Sequence, residues 1–458
     1  MDKPTDENFS RLPGFYKLSI SERLDLLGAR VHLTPEERYL LKGEPLPLAI
    51  ANQMVENVVG VFGMPIGIAA NFRINGRDLL VPMVVEEASV IAAASHVAKL
   101  VREHGSLTTS SSDPVMIGQI QIVGIADPQA ARQKILDARA RILAIANEQD
   151  PVLFEMGGGA RDVEVRVLET LRGAMIVAHL LVDVRDAMGA NAVNTMCEAL
   201  ALYLEGLSGG KVLLRIVSNL ADRRLARARL EIASAAFSEH NWKGQEVAEG
   251  VVNAYAFAQA DPYRAATHNK GVMNGVDAVV IATGNDWRAV EAGAHAYAAR
   301  SGKYGPLTTW EIGPEGRLVG NIELPMSVGL IGGATKVHPT ARLALKILGV
   351  KSARELGEAI AAVGLVQNLA ALRSLVTEGI QKGHMILHAR NVAISAGAVG
   401  ETATVVANQM VREGKIRFDR AKQILRHLLK AAEHEVRKIE TRISHDAPKQ
   451  PPSSRNDE

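Results

Sequence analysis

The 458-residue chain is 47% hydrophobic and 22% charged, with a formal net charge of +2. Its length and apolar content are enough for more than one buried core. So even a charge balance excludes a general electrostatic case for nucleic acid or membrane binding and leaves only a local basic patch for an anionic ligand. The single cysteine, Cys197, cannot form an internal disulfide or a structural zinc site, which points to a reducing, cytoplasmic compartment.

From the N-terminus, MDKPTDENFSRLPG is polar and acidic and lacks the pattern of a secretory signal. Thr34-Pro35-Glu36-Glu37 reads as a helix start, with threonine as cap, proline in the first turn and a glutamate able to reach back. Alanine-rich helical signals cover 87–103, 127–147, 191–207 and 352–377, and strand-like runs cover 116–125, 163–167, 175–182 and 211–217. The strands and helices between 116 and 217 follow the order strand, helix, two strands, helix, strand, which is that of a ferredoxin-like unit. The apolar stretch 174–184 is interrupted by His179 and Asp183 and is too short to span a bilayer, so a soluble protein is expected. From about Gln381 the chain is helical and charged, with basic helices around 418–439 and a polar tail from His445 that reads as disordered. No internal repeat is visible.

Chemistry concentrates in DPYRAATHNKGVMNG at 261–275 and TGNDW at 283–287. Lys270 is expected in a loop of small and polar residues, and Asp286 just past a strand-like run at 278–282. A lysine held against a carboxylate can polarise a carbonyl and neutralise charge developing on its oxygen, although such pairs are usually solvated and worth little. No GxGxxG follows a first strand. MGGGARD at 156–162 and GLIGGATK at 329–336 lack that setting and read as turns or close-packing sites. DAMGAN at 186–191 is better placed: it follows a strand and opens a helix, with Asp186 as expected cap and Gly189 small enough for close approach, and a helix N-terminus suits a pyrophosphate.

The chain resembles the 3-hydroxy-3-methylglutaryl-CoA reductases, specifically their soluble bacterial class (class II). The resemblance is carried by THNKG at 267–271 with Asn274 and by ATGNDWRAVEAG at 282–293. It extends through SRLPGF, ENVVG, NGRDLLVPMVVEEAS, LTTSSSDP, DAMGAN, SNLADRRLARA, VGLIGGATKVHP and GIQKGHMILHARN, in that order. It implies an α+β multidomain fold: a large mixed domain interrupted by a small ferredoxin-like, non-Rossmann dinucleotide-binding domain, with a C-terminal helical flap. The corresponding boundaries are 1–112 and 220–378 for the large domain, 113–219 for the small one, 379–443 for the flap and 444–458 for a tail.

The resemblance also implies a two-step reduction of a CoA thioester to mevalonate by NAD(P)H, a homodimer with ENVVG at the subunit interface, and no metal. Glu87, rather than Glu86, takes the position of the catalytic glutamate, Lys270 that of the oxyanion partner, Asp286 that of the residue orienting the lysine, and His384 that of the acid for the CoA thiolate. Glu87 is expected to begin a helix and to form with Lys270 a pair that shares protons. His388 is read as packing or surface, and Gly383 as a source of mobility. Asp186, Met188, Gly189 and Asn191 would contact the dinucleotide, and Ser89, Arg264 and Asn274 the substrate. Ala88 stands where relatives carry proline or glycine. Asp150, expected to end the preceding helix, would accept bonds from the adenosine ribose and repel a ribose phosphate, favouring NADH with NADPH possible.

Two other readings stay open at this point. One is a lyase or aldolase in which Lys270 forms a Schiff base, which needs a neutral lysine in an apolar setting. The other is a non-catalytic CoA- or nucleotide-binding protein, which would account for DAMGAN and leave Glu87, Asp286 and His384 without a role.

Overall fold

The structure is a computed structural model and describes residues 8–43, 46–239, 241–377 and 379–445. It forms two compact units, Met1–Thr377 and Glu378–Glu458. In chain order the strands are β1 (Ile66–Ile74), β2 (Arg77–Val84), β3 (Gly105–Ser111), β4 (Val115–Val123), β5 (Gly159–Thr170), β6 (Gly173–Asp183), β7 (Lys211–Val217), β8 (Leu225–Ala233), β9 (Thr308–Ile312) and β10 (Arg317–Pro325). They make three sheets: a β1-β2 hairpin, β3-β8-β10-β9, and β5-β6-β4-β7.

The third sheet is antiparallel at every junction, and helices Pro128–Asp137, Arg139–Asn147, Ala190–Ala199 and Ala201–Ser208 cover it. Its order and connections are those of the expected ferredoxin-like arrangement. Met116, Ile120, Ile122, Ile176, Leu180 and Val182 alternate along β4 and β6 toward a core closed by Val193, Met196 and Cys197. Cys197 is fully buried and burial pushes its thiol up to about 12, so it serves as a small apolar filler.

The larger core is built around helix Ala353–Val376, in which sixteen of twenty-four residues are buried. That helix is long and apolar enough to cross a bilayer, but 72% of its most apolar window lies inside the protein. Each fully buried leucine or valine there contributes on the order of 1.5–3 kcal/mol from removing apolar surface from water. Helix Pro262–Ala282 packs against it closely: a Cβ on Gly275 would come 2.9 Å from the Val363 carbonyl oxygen, and one on Gly364 would come 2.8 Å from Val276 Cγ2. Glycine at both contacts therefore fixes the depth at which the lysine-bearing helix sits.

The Thr34 cap is realised as a full capping box, with Thr34 Oγ1 accepting from Glu37 N and Glu37 accepting from Thr34 N. The expected strand at 278–282 is the last part of the 21-residue helix Pro262–Ala282, its apolar residues facing a core on most sides. ENVVG, expected in a helical stretch, follows helix Leu48–Met54 as a turn and extended segment, with Val59 and Phe62 almost fully exposed.

The second unit contains helices Ile380–Ser395, Gly400–Arg412 and Phe418–His445, joined by a small core of Ala389, Ala393, Val406, Met410 and Ile424. The polar tail after His445 lies outside the described residues.

Candidate active site

Lys270 is on helix Pro262–Ala282, not in a loop. Asp261 caps that helix, its Oδ2 accepting from Arg264 N at 2.9 Å, and Pro262 occupies the first turn. The helix faces two ways at this point. His268 and Asn269 are buried, whereas the Lys270 side chain is 61% exposed. His268 Nε2 lies 2.6 Å from Thr308 Oγ1, which donates to Asn368 Oδ1 at 2.9 Å. Asn269 Nδ2 donates to Tyr304 Oη and to the Gly305 carbonyl, each at 2.9 Å, and Asn269 Oδ1 accepts from Leu307 N. Buried polar residues on one side thus fix the rotation that presents Lys270 on the other.

Lys270 Nζ donates to Glu87 Oε2 at 2.6 Å. Glu87 does not begin a helix: it lies in a bend after β2, and the following helix, Val90–His104, starts three residues later. The reason is backbone geometry, since Ser89 at the N-cap adopts φ 76°, a left-handed conformation that interrupts helical propagation and is costly for a non-glycine residue. That turn aims Glu87 back at Lys270. Asn274 is one helical turn beyond Lys270 and half-buried. Arg264 is in the first turn, its guanidinium pKa lowered by burial.

Asp286 is not the partner of Lys270 here. It caps helix Trp287–Ala298, Oδ1 accepting from Arg288 N and Ala289 N at 3.1 Å each, and it lies 3.7 Å from Arg288 Nε. The preceding Gly284, at φ 67°, turns the chain so that the TGND segment follows the lysine helix directly. His384 falls within helix Ile380–Ser395, but its side chain is outside the described residues, and His388 is exposed.

Two expectations for the dinucleotide residues are corrected. Asp186 does not cap the DAMGAN helix. That helix is Ala190–Ala199 with Gly189 at the N-cap, while Asp186 Oδ1 accepts from Ala353 N at 2.7 Å. Gly189 is required, since its φ is 98° and a Cβ would lie 2.4 Å from Val184 Cγ1. A glycine cap makes no side-chain bond to the first-turn amides, and free amides at a helix N-terminus are chemically suited to an anion. Met188 is half-buried beside it and Asn191 is exposed. Asp150 does not end a helix. The preceding helix stops at Asn147, and Asp150 caps the short helix Pro151–Glu155, Oδ1 accepting from Leu153 N at 2.9 Å.

The glycine-rich segments behave as turns and close contacts. Gly157 and Gly159 have positive φ, and a Cβ on Gly329 would come 2.5 Å from Met188 N. Among the described residues no cluster of three or more His, Cys, Asp or Glu is placed to hold a metal ion. Sequence reasoning assigned no role to Arg224, which bonds to the carbonyls of the DAMGAN turn, or to Asn285, which holds Gly329 against it.

Comparison with known proteins gives a consistent result. The family model described as hydroxymethylglutaryl-coenzyme A reductase matches residues 19–389. A 3-hydroxy-3-methylglutaryl-coenzyme A reductase of Archaeoglobus fulgidus is 56% identical over 419 residues, covering 92% of this chain and 95% of the relative. A probable reductase of the same name from Borreliella burgdorferi is 35% identical over 345 residues, covering 74% of this chain and 77% of the relative. Among solved structures, the Streptococcus pneumoniae reductase superposes with a TM-score of 0.78 at 43% identity, covering 91% of this chain and 99% of that one. A class II Streptococcus pneumoniae reductase described as bound to NADPH in open conformations gives 0.77 at 43% identity, covering 90% and 100%.

Proposed function

Because the chain belongs to the class II hydroxymethylglutaryl-coenzyme A reductase family, we propose that it interconverts 3-hydroxy-3-methylglutaryl-CoA and mevalonate, with Lys270 and Glu87 at the reacting carbonyl. The observation that carries this reading is the 2.6 Å contact between Lys270 Nζ and Glu87 Oε2. In the reductive direction one thioester, two NAD(P)H and two protons give mevalonate, free CoA and two NAD(P)+. Bound nicotinamide supplies the two hydrides.

The chain's own residues serve the carbonyl and the leaving group. The Lys270 ammonium lies against the thioester oxygen and offsets the negative charge that grows there as the carbon becomes tetrahedral. Glu87, which accepts a hydrogen bond from Lys270 Nζ, supplies the proton that oxygen takes. When the hemithioacetal carbon–sulfur bond breaks, the carbonyl re-forms and the thiolate takes a proton, a role we assign to His384. A second reduction of the aldehyde uses the same lysine and glutamate. Asp286, the N-cap of helix Trp287–Ala298, keeps the catalytic role that its place in TGND implies, and the Arg264 fork suits the carboxylate at the far end of the substrate.

For the dinucleotide, the fit of the 186–191 turn to a pyrophosphate supports the roles given to Asp186, Met188, Gly189 and Asn191. Asp186 acts through the backbone, because its side chain is engaged by Ala353 N. Asp150 supports a preference for NADH: Oδ1 holds the helix start, and the carboxylate repels a ribose phosphate. Ser89 and Asn274 are proposed to contact substrate. The exposed apolar Val55, Val59 and Phe62 support a dimer in which ENVVG is covered by a second copy. The Schiff-base reading is disfavoured by a lysine that is ion-paired and largely exposed.

The test follows NAD(P)H oxidation and free thiol release together, with 3-hydroxy-3-methylglutaryl-CoA and with NADH and NADPH in parallel. Two nicotinamides oxidised per thiol released is the expected result, with NADH the faster. Lys270→Ala lowers kcat by about 10²–10³-fold, the scale of losing one oxyanion donor. Full activity in that variant would rule out the role of Lys270. Preference for NADPH would remove the role of Asp150 alone.

A further inference from the structure

Three backbone segments from distant parts of the sequence meet beside the DAMGAN turn. Arg224 is 5% exposed, and its guanidinium bonds to carbonyls: Nη1 donates to Ala187 O at 3.0 Å and Met188 O at 3.3 Å, and Nη2 donates to Val328 O at 2.5 Å. No carboxylate lies within ion-pair distance of it among the described residues, and Asp183 and Asp186 act on it only as nearby charges. Burial of a cation on carbonyl oxygens alone is costly and persists where the geometry it enforces is needed.

The segment after Val328 continues the lacing. Leu330 N donates to Asp186 O at 2.8 Å, Ala187 and Ile331 form a parallel bridge, and Gly329 N donates to Asn285 Oδ1 at 2.8 Å. Asn285 is in turn held by its own turn, Nδ2 donating to Thr283 Oγ1 at 3.1 Å and its backbone N to Val280 O at 3.0 Å. Gly329 leaves no slack, because any Cβ there would strike Met188 N at 2.5 Å and Ala187 C at 2.8 Å. The 186–188 turn and the turn carrying Asp286 are therefore each bonded to one short stretch of backbone, 328–331.

We propose that Asn285 and Arg224 are positioning residues for hydride transfer, which hold the 186–188 turn, and with it the dinucleotide, at a set distance from the turn that carries Asp286. This rests on the proposed readings of the DAMGAN turn as the pyrophosphate site and of Asp286 as a group at the reacting carbonyl. Neither residue touches the reacting atoms. Both act by fixing where the nicotinamide carbon sits relative to the carbonyl, and displacement by about 1 Å can cost about 10²-fold in rate.

The test uses Asn285→Ala, which removes the acceptor for Gly329 N, and Arg224→Lys, which keeps the charge but replaces the planar fork that spans both loops with a single nitrogen. Each is compared with wild type for NADH affinity by fluorescence titration, kcat, and the primary isotope effect with NADH deuterated at the transferred position. The expected result is NADH affinity within about threefold of wild type, kcat lowered about tenfold to a hundredfold, and an increased isotope effect as hydride transfer becomes the slow step. A merely structural role would lower the active fraction and leave the isotope effect unchanged, which would overturn the proposal, as would wild-type kcat in Asn285→Ala. Wild-type protein that oxidises no nicotinamide would instead defeat the function on which the proposal rests, so the two failures are distinct. If Arg224→Lys does not fold, Asn285→Ala decides alone.

Discussion

Lys270 and Glu87, 183 residues apart in sequence, meet with Nζ 2.6 Å from Oε2, each brought there by an element rigidly tied to the larger core. The lysine rides on a helix packed through Gly275 and Gly364, and the glutamate hangs from a left-handed turn at the end of β2. At these exposures, 61% and 35%, such a contact adds little to stability. Its consequence lies in chemistry.

Glu87→Gln should therefore separate activity from folding. The amide keeps the shape and can still accept from Lys270, but it cannot deliver a proton. Its kcat is expected to fall by about 10²–10⁴-fold, with thermal unfolding close to wild type. A variant retaining most of its kcat would exclude Glu87 as the proton donor.

His268 predicts an acid-side loss of stability. Burial, then the Arg264 charge, lowers its pKa from 6.5 to about 4, so between these values the unfolded chain binds a proton that the folded one does not. Stability conferred by neutral His268 is present above pH 6.5 and is lost as pH falls toward 4. His268→Asn should lose about 1 kcal/mol at neutral pH with the Thr308 bond, and its stability should fall less steeply over that window. An unchanged slope in urea titrations would exclude His268 as the cause.

Asp277 carries the opposite sign. It sits in the same helix as Lys270 with its carboxyl against Glu291, and burial followed by that neighbouring carboxylate raises its pKa. Glu291 is held ionised chiefly by His295, whose Nε2 lies 2.7 Å away, and His295 Nδ1 lies 2.8 Å from Tyr304 Oη. As pH rises above the ordinary aspartate range the unfolded chain releases a proton that the folded one keeps, so stability declines with pH. Asp277→Asn should flatten that decline and leave the protein at least as stable at pH 8. Destabilisation at every pH would show that the carboxyl form is needed for packing instead.

Asp78 and Arg102 form a buried pair at 2.7 Å, with side chains 2% and 7% exposed, and Asp78 Oδ2 also accepts from Ser10 N and Oγ. Asp78→Ala removes the carboxylate that Arg102 meets at 2.7 Å and the acceptor of Ser10 N and Oγ, and so loosens the SRLPGF segment. A loss of about 3–5 kcal/mol is expected, as for breaking a buried pair by removing one partner. Chemical denaturation measures it, and a change below about 1 kcal/mol would place the anchor of this segment elsewhere.

Much of the architecture was legible because it depends on local signals. The Thr34 capping box is written in four consecutive residues, and the alternation along 116–125 and 175–182 marks two half-buried strands. The errors share a cause. Residues 278–282 are Ala, Val, Val, Ile and Ala, and so short an apolar run is the same in a buried helix as in a strand. Asp186 and Asp150 both stand where a cap is plausible, and only the backbone turn decides which amide each one meets. Arg224 and Asn285 lie in motifs the sequence displays, but their roles were not legible, because a side chain bonding to main-chain atoms over a hundred residues away, or to one glycine amide, demands nothing of neighbouring side-chain identities.

The chain enters the ferredoxin-like sheet on β4 and leaves it on β7, and these strands are neighbours: Gly118 is opposite Val217, and Ser218 N donates to Ile117 O at 2.8 Å. Both crossings therefore sit side by side at one corner of the sheet. A hundred-residue excursion that departs and returns through adjacent strands brings the flanking β3 and β8 together at its base, where Ser112 N donates to Leu225 O at 2.9 Å.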